Sequence, residues 1–261
     1  MDVEDKCLSS CIKCDLHLSR PCCVLLQVTD RCNLSCPVCF ASSECYLNES
    51  GDPSLEEIAG WYEMLLKRAG KVNIQLSGGE PTMREDLEKV IAIGRERGFS
   101  YFQLNTNGLR IANEGGYAQR LKDAGLSCVF LQFDGVDDET YKILRGRGLL
   151  EEKMKAIRYC EEAHLPVVLV PTIVRGVNDD ELGDIVSLGV KHAPTVRGVH
   201  IQPVSYFGRV EGIGRGRISI PGILQRLECQ TGGMIQIGDF SGGSAEHPWC
   251  SFNGYYRIGE G

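Results

Sequence analysis

The chain has no apolar run of 18 residues, so nothing in it reads as a membrane-spanning helix. Its first residues, Met1-Asp2-Val3-Glu4-Asp5-Lys6, are acidic and carry neither the basic nor the apolar stretch of a secretory leader. No long basic stripe offsets the formal net charge of -7 and the pI near 5.4, which argues against nucleic acid as a partner. The densest basic stretch, Gly208 to Arg217 with Arg209, Arg215 and Arg217, reads as a flexible solvated loop without a role. Cysteine is too sparse for a disulfide scaffold, at 13 in 261 residues, and the count is odd. These absences point to a cytoplasmic protein without integral membrane association, in a compartment where thiols stay reduced.

What the chain does have is clustered cysteine. Cys7, Cys11, Cys14, Cys22, Cys23, Cys32, Cys36 and Cys39 make eight of the 13, all before residue 40. Clustering points to metal. Cys32, Cys36 and Cys39 have a C-x3-C-x2-C spacing, with three thiols in one short segment and no fourth nearby. A structural zinc or an ordinary iron-sulfur cluster takes four protein ligands, whereas three cysteines around a cubane leave one iron open for a substrate or cofactor. Zinc and unligated thiols are the competing readings. Cys128 and Cys160 sit at apolar positions of a strand and a helix, where a cysteine behaves as a small hydrophobe. His247 and Cys250 lie three apart near the end, in a segment that reads as a closure over a site.

Short β-branched segments alternate with amphipathic stretches, the pattern of repeated βα units around a parallel sheet. The strand candidates are Val24 to Val28, Val72 to Leu76, Tyr101 to Asn105, Cys128 to Phe133, Val167 to Ile173 and Gly198 to Gln202. Ser54-Leu55-Glu56-Glu57 and Thr82-Met83-Arg84-Glu85 both fit the capping box of a helix start. Leu55, Ile58, Tyr62, Leu65, Leu66 and Ala69 share one helical face, which Gly70 can close in a left-handed cap. In a barrel of such units the active site lies at the carboxyl ends of the strands, and the cysteine segment directly follows the first.

The run Thr29-Asp30-Arg31-Cys32-Asn33-Leu34-Ser35-Cys36-Pro37-Val38-Cys39-Phe40, with Ser77-Gly78-Gly79-Glu80-Pro81 after the second strand, resembles the radical S-adenosylmethionine (SAM) superfamily. The resemblance implies an α/β fold, an open (βα)6 partial TIM barrel. It implies a 4Fe-4S cluster on Cys32, Cys36 and Cys39 whose open iron binds the methionine amine and carboxylate of SAM. The family commonly has an aromatic residue near the adenine at the middle of the last gap, where this chain has Val38; Phe40 stands just past it. Gly78, Gly79 and Glu80 match the family's segment against the SAM amino group. Asn105 and Thr106 after the third strand, Gln132 and Asp134 after the fourth, and Arg145 match polar contacts to the SAM carboxylate or ribose. Ile173, in Pro171-Thr172-Ile173-Val174-Arg175-Gly176-Val177-Asn178, matches the adenine-contacting segment or is ordinary core. Asn107-Gly108 also fits a plain turn.

Cys7, Cys11 and Cys14 repeat the C-x3-C-x2-C spacing upstream and suggest a second, auxiliary 4Fe-4S cluster, against zinc or inert thiols. Its fourth ligand is open among Cys22, Cys23, Cys45 and Cys250. Three segments follow: a Cys-rich segment over residues 1–21, the barrel over 22–207, and a short C-terminal loop and cap over 208–261. Cys7-Leu8-Ser9-Ser10-Cys11-Ile12-Lys13-Cys14-Asp15-Leu16-His17 together with Gln103-Leu104-Asn105-Thr106-Asn107-Gly108 resembles the tetraether-synthase branch, with its class D methylases. Cys22-Cys23-Val24-Leu25-Leu26-Gln27-Val28 and Val199-His200-Ile201-Gln202-Pro203-Val204-Ser205-Tyr206-Phe207-Gly208-Arg209 are most similar to the TrsS radical SAM (seleno)proteins of that branch. Branch members carry a further N-terminal module and a longer C-terminal region. The resemblance implies an enzyme that cleaves SAM reductively to a 5′-deoxyadenosyl radical for C–H activation, leading to methylation or C–C bond formation. It implies a reducing donor such as flavodoxin or ferredoxin, and a methyltransferase-like partner. A peptide-modifying maturase and a non-catalytic iron-sulfur electron carrier are the alternatives.

Overall fold

The computed structural model describes residues 21–40, 51–214, 216–242 and 251–259. Six strands form one parallel sheet in unbroken chain order: β1 (Cys23–Thr29), β2 (Asn73–Gly78), β3 (Phe102–Thr106), β4 (Cys128–Gln132), β5 (Val167–Val170) and β6 (Val196–Val199). Helical crossovers join them: α1 (Leu55–Arg68), α2 (Leu87–Glu96), the short α3 (Leu109–Asn113) and α4 (Tyr117–Asp123), α5 (Asp138–Arg145), α6 (Leu150–Glu162) and α7 (Leu182–Lys191). A last helix, α8 (Ile220–Gln230), packs on α7 through Leu182, Ile223, Leu224 and Leu227. This is the α/β partial barrel expected, two strands short of the eight that close a ring.

Alternation along the strands sorts the side chains onto two faces. Leu26, Val28, Ile74, Leu76, Phe102, Leu104, Val129, Leu131, Val167 and Leu169 meet Ile58, Tyr62, Val90, Ile91, Leu121, Ile157 and Ile185 from the helices in the main core. The opposite, inner face carries Gln27, Gln75, Gln103, Asn105, Phe130, Gln132, Val168 and Val170, none of them fully buried. A parallel sheet covered on both sides reads as near-continuous apolar strands, so this polar face marks an open interior.

Local signals performed unevenly. At α1 the box holds: Ser54 Oγ accepts from Glu57 N at 3.1 Å, Glu57 Oε2 accepts from Ser54 N at 2.8 Å, and Gly70 has φ +77°. The second expected box does not form. Thr82 lies in a 3₁₀ turn (Pro81–Met83), its hydroxyl donates to Glu80, and exposed Glu85 pairs with Arg110; α2 starts later, at Leu87. The expected fifth strand is split by Pro171, which has no N–H. Thr172–Ile173 resumes by pairing with Gln202–Pro203. Cys128 and Cys160 are buried as expected. Among the described residues no helix is long and apolar enough to cross a membrane.

Candidate active site

The cysteine loop leaves the carboxyl end of β1 and places Cys32, Cys36 and Cys39 half-buried, outside any disulfide. Leu34 anchors it in an apolar cluster with Leu109, Tyr141 and Leu149, against which Cys32 and Cys36 also pack. Burial pushes the Cys32 thiol up to about 11, against the lowering effect of the Leu34 backbone, and Glu80, Cys36 and Cys39 add to the rise. Burial likewise raises Cys36, opposed by the charge of Arg145. Val38–Cys39 pairs antiparallel with Arg209–Val210, and Arg209 Nε donates to the Cys36 carbonyl at 2.7 Å. Gly208, at φ +71°, makes this approach possible: a Cβ there would stand 2.4 Å from the Phe40 carbonyl oxygen. The reading of Gly208 to Arg217 as a solvated loop without a role is therefore corrected at its first residues, which clasp the cysteine loop.

Gly78 and Gly79 make a second close contact, with backbone. A Cβ on Gly78 would meet the Thr29 carbonyl oxygen at 2.1 Å, and one on Gly79 would meet that of Arg31 at 2.3 Å. Gly79 N donates to Thr29 O at 2.9 Å and Glu80 N to Arg31 O at 2.7 Å, so the turn after β2 is bonded to the start of the cysteine loop. Glu80 is 1% exposed. Its Oε1 accepts from Thr82 N at 3.0 Å, Thr82 Oγ1 at 2.7 Å and Thr106 Oγ1 at 2.7 Å, and its Oε2 accepts from Asn107 N at 2.7 Å. The carboxylate thus ties the β2 end to the β3 end. Asn107 carries the connection onward, donating through Nδ2 to Asn33 Oδ1 at 2.7 Å in the cysteine loop.

Asp134 and Arg145 turn toward each other. Arg145 Nε and Nη2 donate to the two carboxylate oxygens, each at 2.7 Å, the bidentate geometry that suits a guanidinium. Arg145 Nη1 donates to Val38 O at 3.0 Å, and Thr172 N to Asp134 Oδ1 at 3.1 Å. Burial works against the Arg145 charge, but Asp134 more than offsets it and holds the guanidinium above its ordinary value. Gln132 Nε2 donates to Asp134 as well, and Gln132 Oε1 accepts from Lys153 Nζ at 3.1 Å. Lys153 is fully buried, donates to Asn107 O at 2.6 Å, and is lowered to about 8 by burial, opposed by Asp134.

The structure thus brings Cys32, Cys36, Cys39, Glu80, Thr106, Gln132, Asp134 and Arg145 into one network at the strand ends. Asn105 Oδ1 accepts from Gln75 at 2.9 Å and Gln103 at 3.3 Å on the inner face. Phe40, 67% exposed, meets the Phe207 ring edge-on at 6.5 Å. Ile173 is fully buried in the cluster with α7 and α8, as its core reading expects. Cys7, Cys11, Cys14, Cys45, His247 and Cys250 lie outside the described residues. Sequence reasoning missed Lys153, Asn107 and Arg209. Lys153 had a signal, because it shares a buried helical stripe with Ala156, Ile157 and Cys160, where a cation is out of place.

Among the described residues no three His, Cys, Asp or Glu side chains are drawn together as the ligands of a single ion would be. Tetrahedral zinc needs its sulfurs only about 3.8 Å apart, from bonds of about 2.3 Å. Three thiols on one open loop at a barrel mouth fit a larger inorganic cluster with a site left for another ligand.

Over residues 26–189 the sequence matches the radical SAM superfamily, and the chain belongs to that superfamily. It is 43% identical over 245 residues to a 7,8-dihydro-6-hydroxymethylpterin dimethyltransferase of Methanocaldococcus jannaschii, a match covering 91% of this chain and 47% of that protein. A GTP 3′,8-cyclase of Syntrophomonas wolfei is 34% identical over 185 residues, 69% of this chain and 55% of the relative. The chain spans about half the length of these curated relatives. Among solved structures, Streptococcus suis SuiB bound to precursor peptide SuiA superposes with a TM-score of 0.64 at 17% identity, over 80% of this chain and 45% of that one. Native anSMEcpe with bound AdoMet gives 0.59 at 16% identity, over 82% and 63%. These two establish the shared fold. The protein is a radical SAM enzyme, and its family uses SAM and a 4Fe-4S cluster.

Proposed function

We propose that this chain holds a 4Fe-4S cluster on Cys32, Cys36 and Cys39 and uses SAM for C–H activation leading to methylation or C–C bond formation. The supporting observation is the cysteine loop itself: three half-buried thiols at the carboxyl end of β1, bonded on one side to the Gly78–Glu80 turn and on the other to Arg209. When bound, the cluster and SAM supply one-electron cleavage and a 5′-deoxyadenosyl radical able to take hydrogen from an unactivated carbon.

The residues divide the remaining work. Gly79 and Glu80 fix the loop and, through Asn107 and Thr106, the polar ends of β2 and β3. Gln132, Asp134 and Arg145 hold a preorganised wall for the SAM carboxylate and ribose, with Lys153 behind it. Asn105 and Thr106 complete that wall from β3, and Phe40 serves the adenine side. Preorganised polar groups do not have to reorient when the reaction occurs, which is where their catalytic value lies. Identity of 43% to a protein named a dimethyltransferase favours methyl transfer. We assign the chain to the TrsS-like part of the tetraether-synthase branch. A second cluster sits on Cys7, Cys11 and Cys14 in the 1–21 segment; residues 22–207 form the barrel and 208–261 its cap. The electron donor is flavodoxin or ferredoxin, and a methyltransferase-like protein is the partner.

The test is Cys32→Ala, reconstituted anaerobically. It should lose the cluster's electron paramagnetic signal and SAM-derived deoxyadenosine while keeping its far-ultraviolet circular dichroism, because the core lies behind the sheet. Deoxyadenosine at the wild-type level from this variant would refute the assignment.

A further inference from the structure

The inner face of the sheet has a composition that the SAM site does not account for. In a closed barrel the interior is filled by layers of branched apolar side chains. Here the register sets Leu25 beside Gln75, Gln75 beside Gln103, and Gln27 beside Ser77, so the β1–β3 half of the interior is lined by carboxamides. The β4–β5 half differs: Phe130 lies beside Val168 and Gln132 beside Val170, and His200 brings its ring to 6.0 Å from that of Phe130. The β1–β3 side offers carboxamide donors and acceptors beside Leu25, and the β4–β5 side offers the flat Phe130 ring with Val168 and His200.

The carboxamides hold one another in place. Asn105 Oδ1 takes both the Gln75 and Gln103 amide N–H groups, which leaves the Gln103 carbonyl and the Asn105 amide N–H without a hydrogen-bond partner among the described residues. Gln75 Oε1 has only the weak Cys23 thiol at 3.9 Å. A hydrocarbon chain seated there would strip water from these groups and return nothing, a cost that specific binding sites avoid. A planar heterocycle satisfies both walls, with polar edges and apolar faces.

We propose that the substrate bound inside the barrel is a planar heterocycle carrying a lactam–amine edge, read by Gln75 and Gln103. This inference rests on the radical SAM reading of the neighbouring site. Binding of pterin and guanosine, with tetraglycine and 1-hexadecanol as contrasting probes, is measured by calorimetry on the reconstituted wild-type chain and on Gln75→Leu, Gln103→Leu and Gln103→Glu. A lactam–amine ring should bind wild type, and each Leu variant should weaken it about fivefold to tenfold, the effect of one hydrogen bond. Gln103→Glu keeps the accepting oxygen and adds charge, so it should hold the N–H groups of the ring more tightly; it serves if a Leu variant folds poorly, and weaker ring binding by it would overturn the proposal. All three variants should retain wild-type iron content, which shows that the cysteine loop is intact. Tighter binding of 1-hexadecanol or tetraglycine, ring binding that ignores the substitutions, or binding of neither ring would overturn the proposal. Failure of the wild type to form deoxyadenosine would instead sink the functional reading, and the two failures are distinguishable.

Discussion

Glu80→Gln changes one atom of the network and nothing in its shape. All four groups bonded to the carboxylate are donors, three on Oε1 and one on Oε2. An amide can keep the three on its carbonyl oxygen, but its NH2 then faces the Asn107 N–H, donor against donor. One buried N–H left without an acceptor costs about 1–3 kcal/mol. The three surviving bonds lose their charge-assisted character, and neutral bonds are roughly half as strong. Removing the buried negative charge relieves some desolvation, yet it leaves the Asp134, Arg145 and Lys153 group with an uncompensated positive charge. The sum is a loss of about 3 kcal/mol, in the range for removing one partner from a buried charged network. The assay is anaerobic urea denaturation of wild type and variant without cluster, with amide hydrogen exchange read at Asn107. About 3 kcal/mol of local opening is roughly two decades in exchange rate. A loss under about 1 kcal/mol with unchanged protection at Asn107 would refute the account of Glu80 as the tie between β2 and β3.

Gly79→Ala should reduce bound iron per chain, because the new Cβ stands 2.3 Å from Arg31 O and 2.7 Å from Asp30 O and must push the cysteine loop outward; iron content equal to wild type would contradict this. Lys153 has its folded value lowered to about 8 from 10.5, by burial against the pull of Asp134 and Glu80, with Arg145 adding to the lowering. Between those values the unfolded chain holds the proton that the folded chain has released, so its contribution to stability rises with pH over that window, by about 3 kcal/mol. The stability difference between wild type and Lys153→Met should climb accordingly from pH 7.5 to 10.5, and a flat difference counts against it. Replacing Cys7, Cys11 and Cys14 together by Ala should lower reconstituted iron from about eight to about four per chain, as two cubanes require; unchanged iron removes the auxiliary cluster from the proposal.

The six strands were legible because each is a short run rich in β-branched, aromatic or other apolar residues, and β1 to β4 fall within one or two residues of their expected bounds. Strand alternation was equally visible in Asn73-Ile74-Gln75-Leu76-Ser77 and Phe102-Gln103-Leu104-Asn105, but its meaning depended on knowing that helices cover only one face. The second capping box failed because Thr82 lies inside the 3₁₀ turn, its N–H and hydroxyl both donating to buried Glu80, and Glu85 pairs with Arg110 instead of reaching back. Asp134 and Arg145 were each legible as polar groups at strand and helix ends. That they would pair with each other was not, since 11 residues of turn and helix decide the approach. Arg209 was hidden for the same reason at longer range: its partner, the Cys36 carbonyl, is 173 residues away.

That separation has a consequence for biosynthesis. The cysteine loop is made early, and its first anchor, the turn at Gly78–Glu80, follows about 40 residues later. The clasp of Gly208–Val210 on Cys36, Val38 and Phe40 lies beyond the 26–189 span that defines the family match. At about 5–20 residues per second, a ribosome needs roughly 9–35 s to travel from Cys36 to Arg209. During that interval the loop has at most the Gly78–Glu80 turn to hold it, because Arg209 has not yet been made. A chain shortened to the family span would retain Cys32, Cys36 and Cys39 yet lack the contacts that Gly208–Val210 makes with their loop.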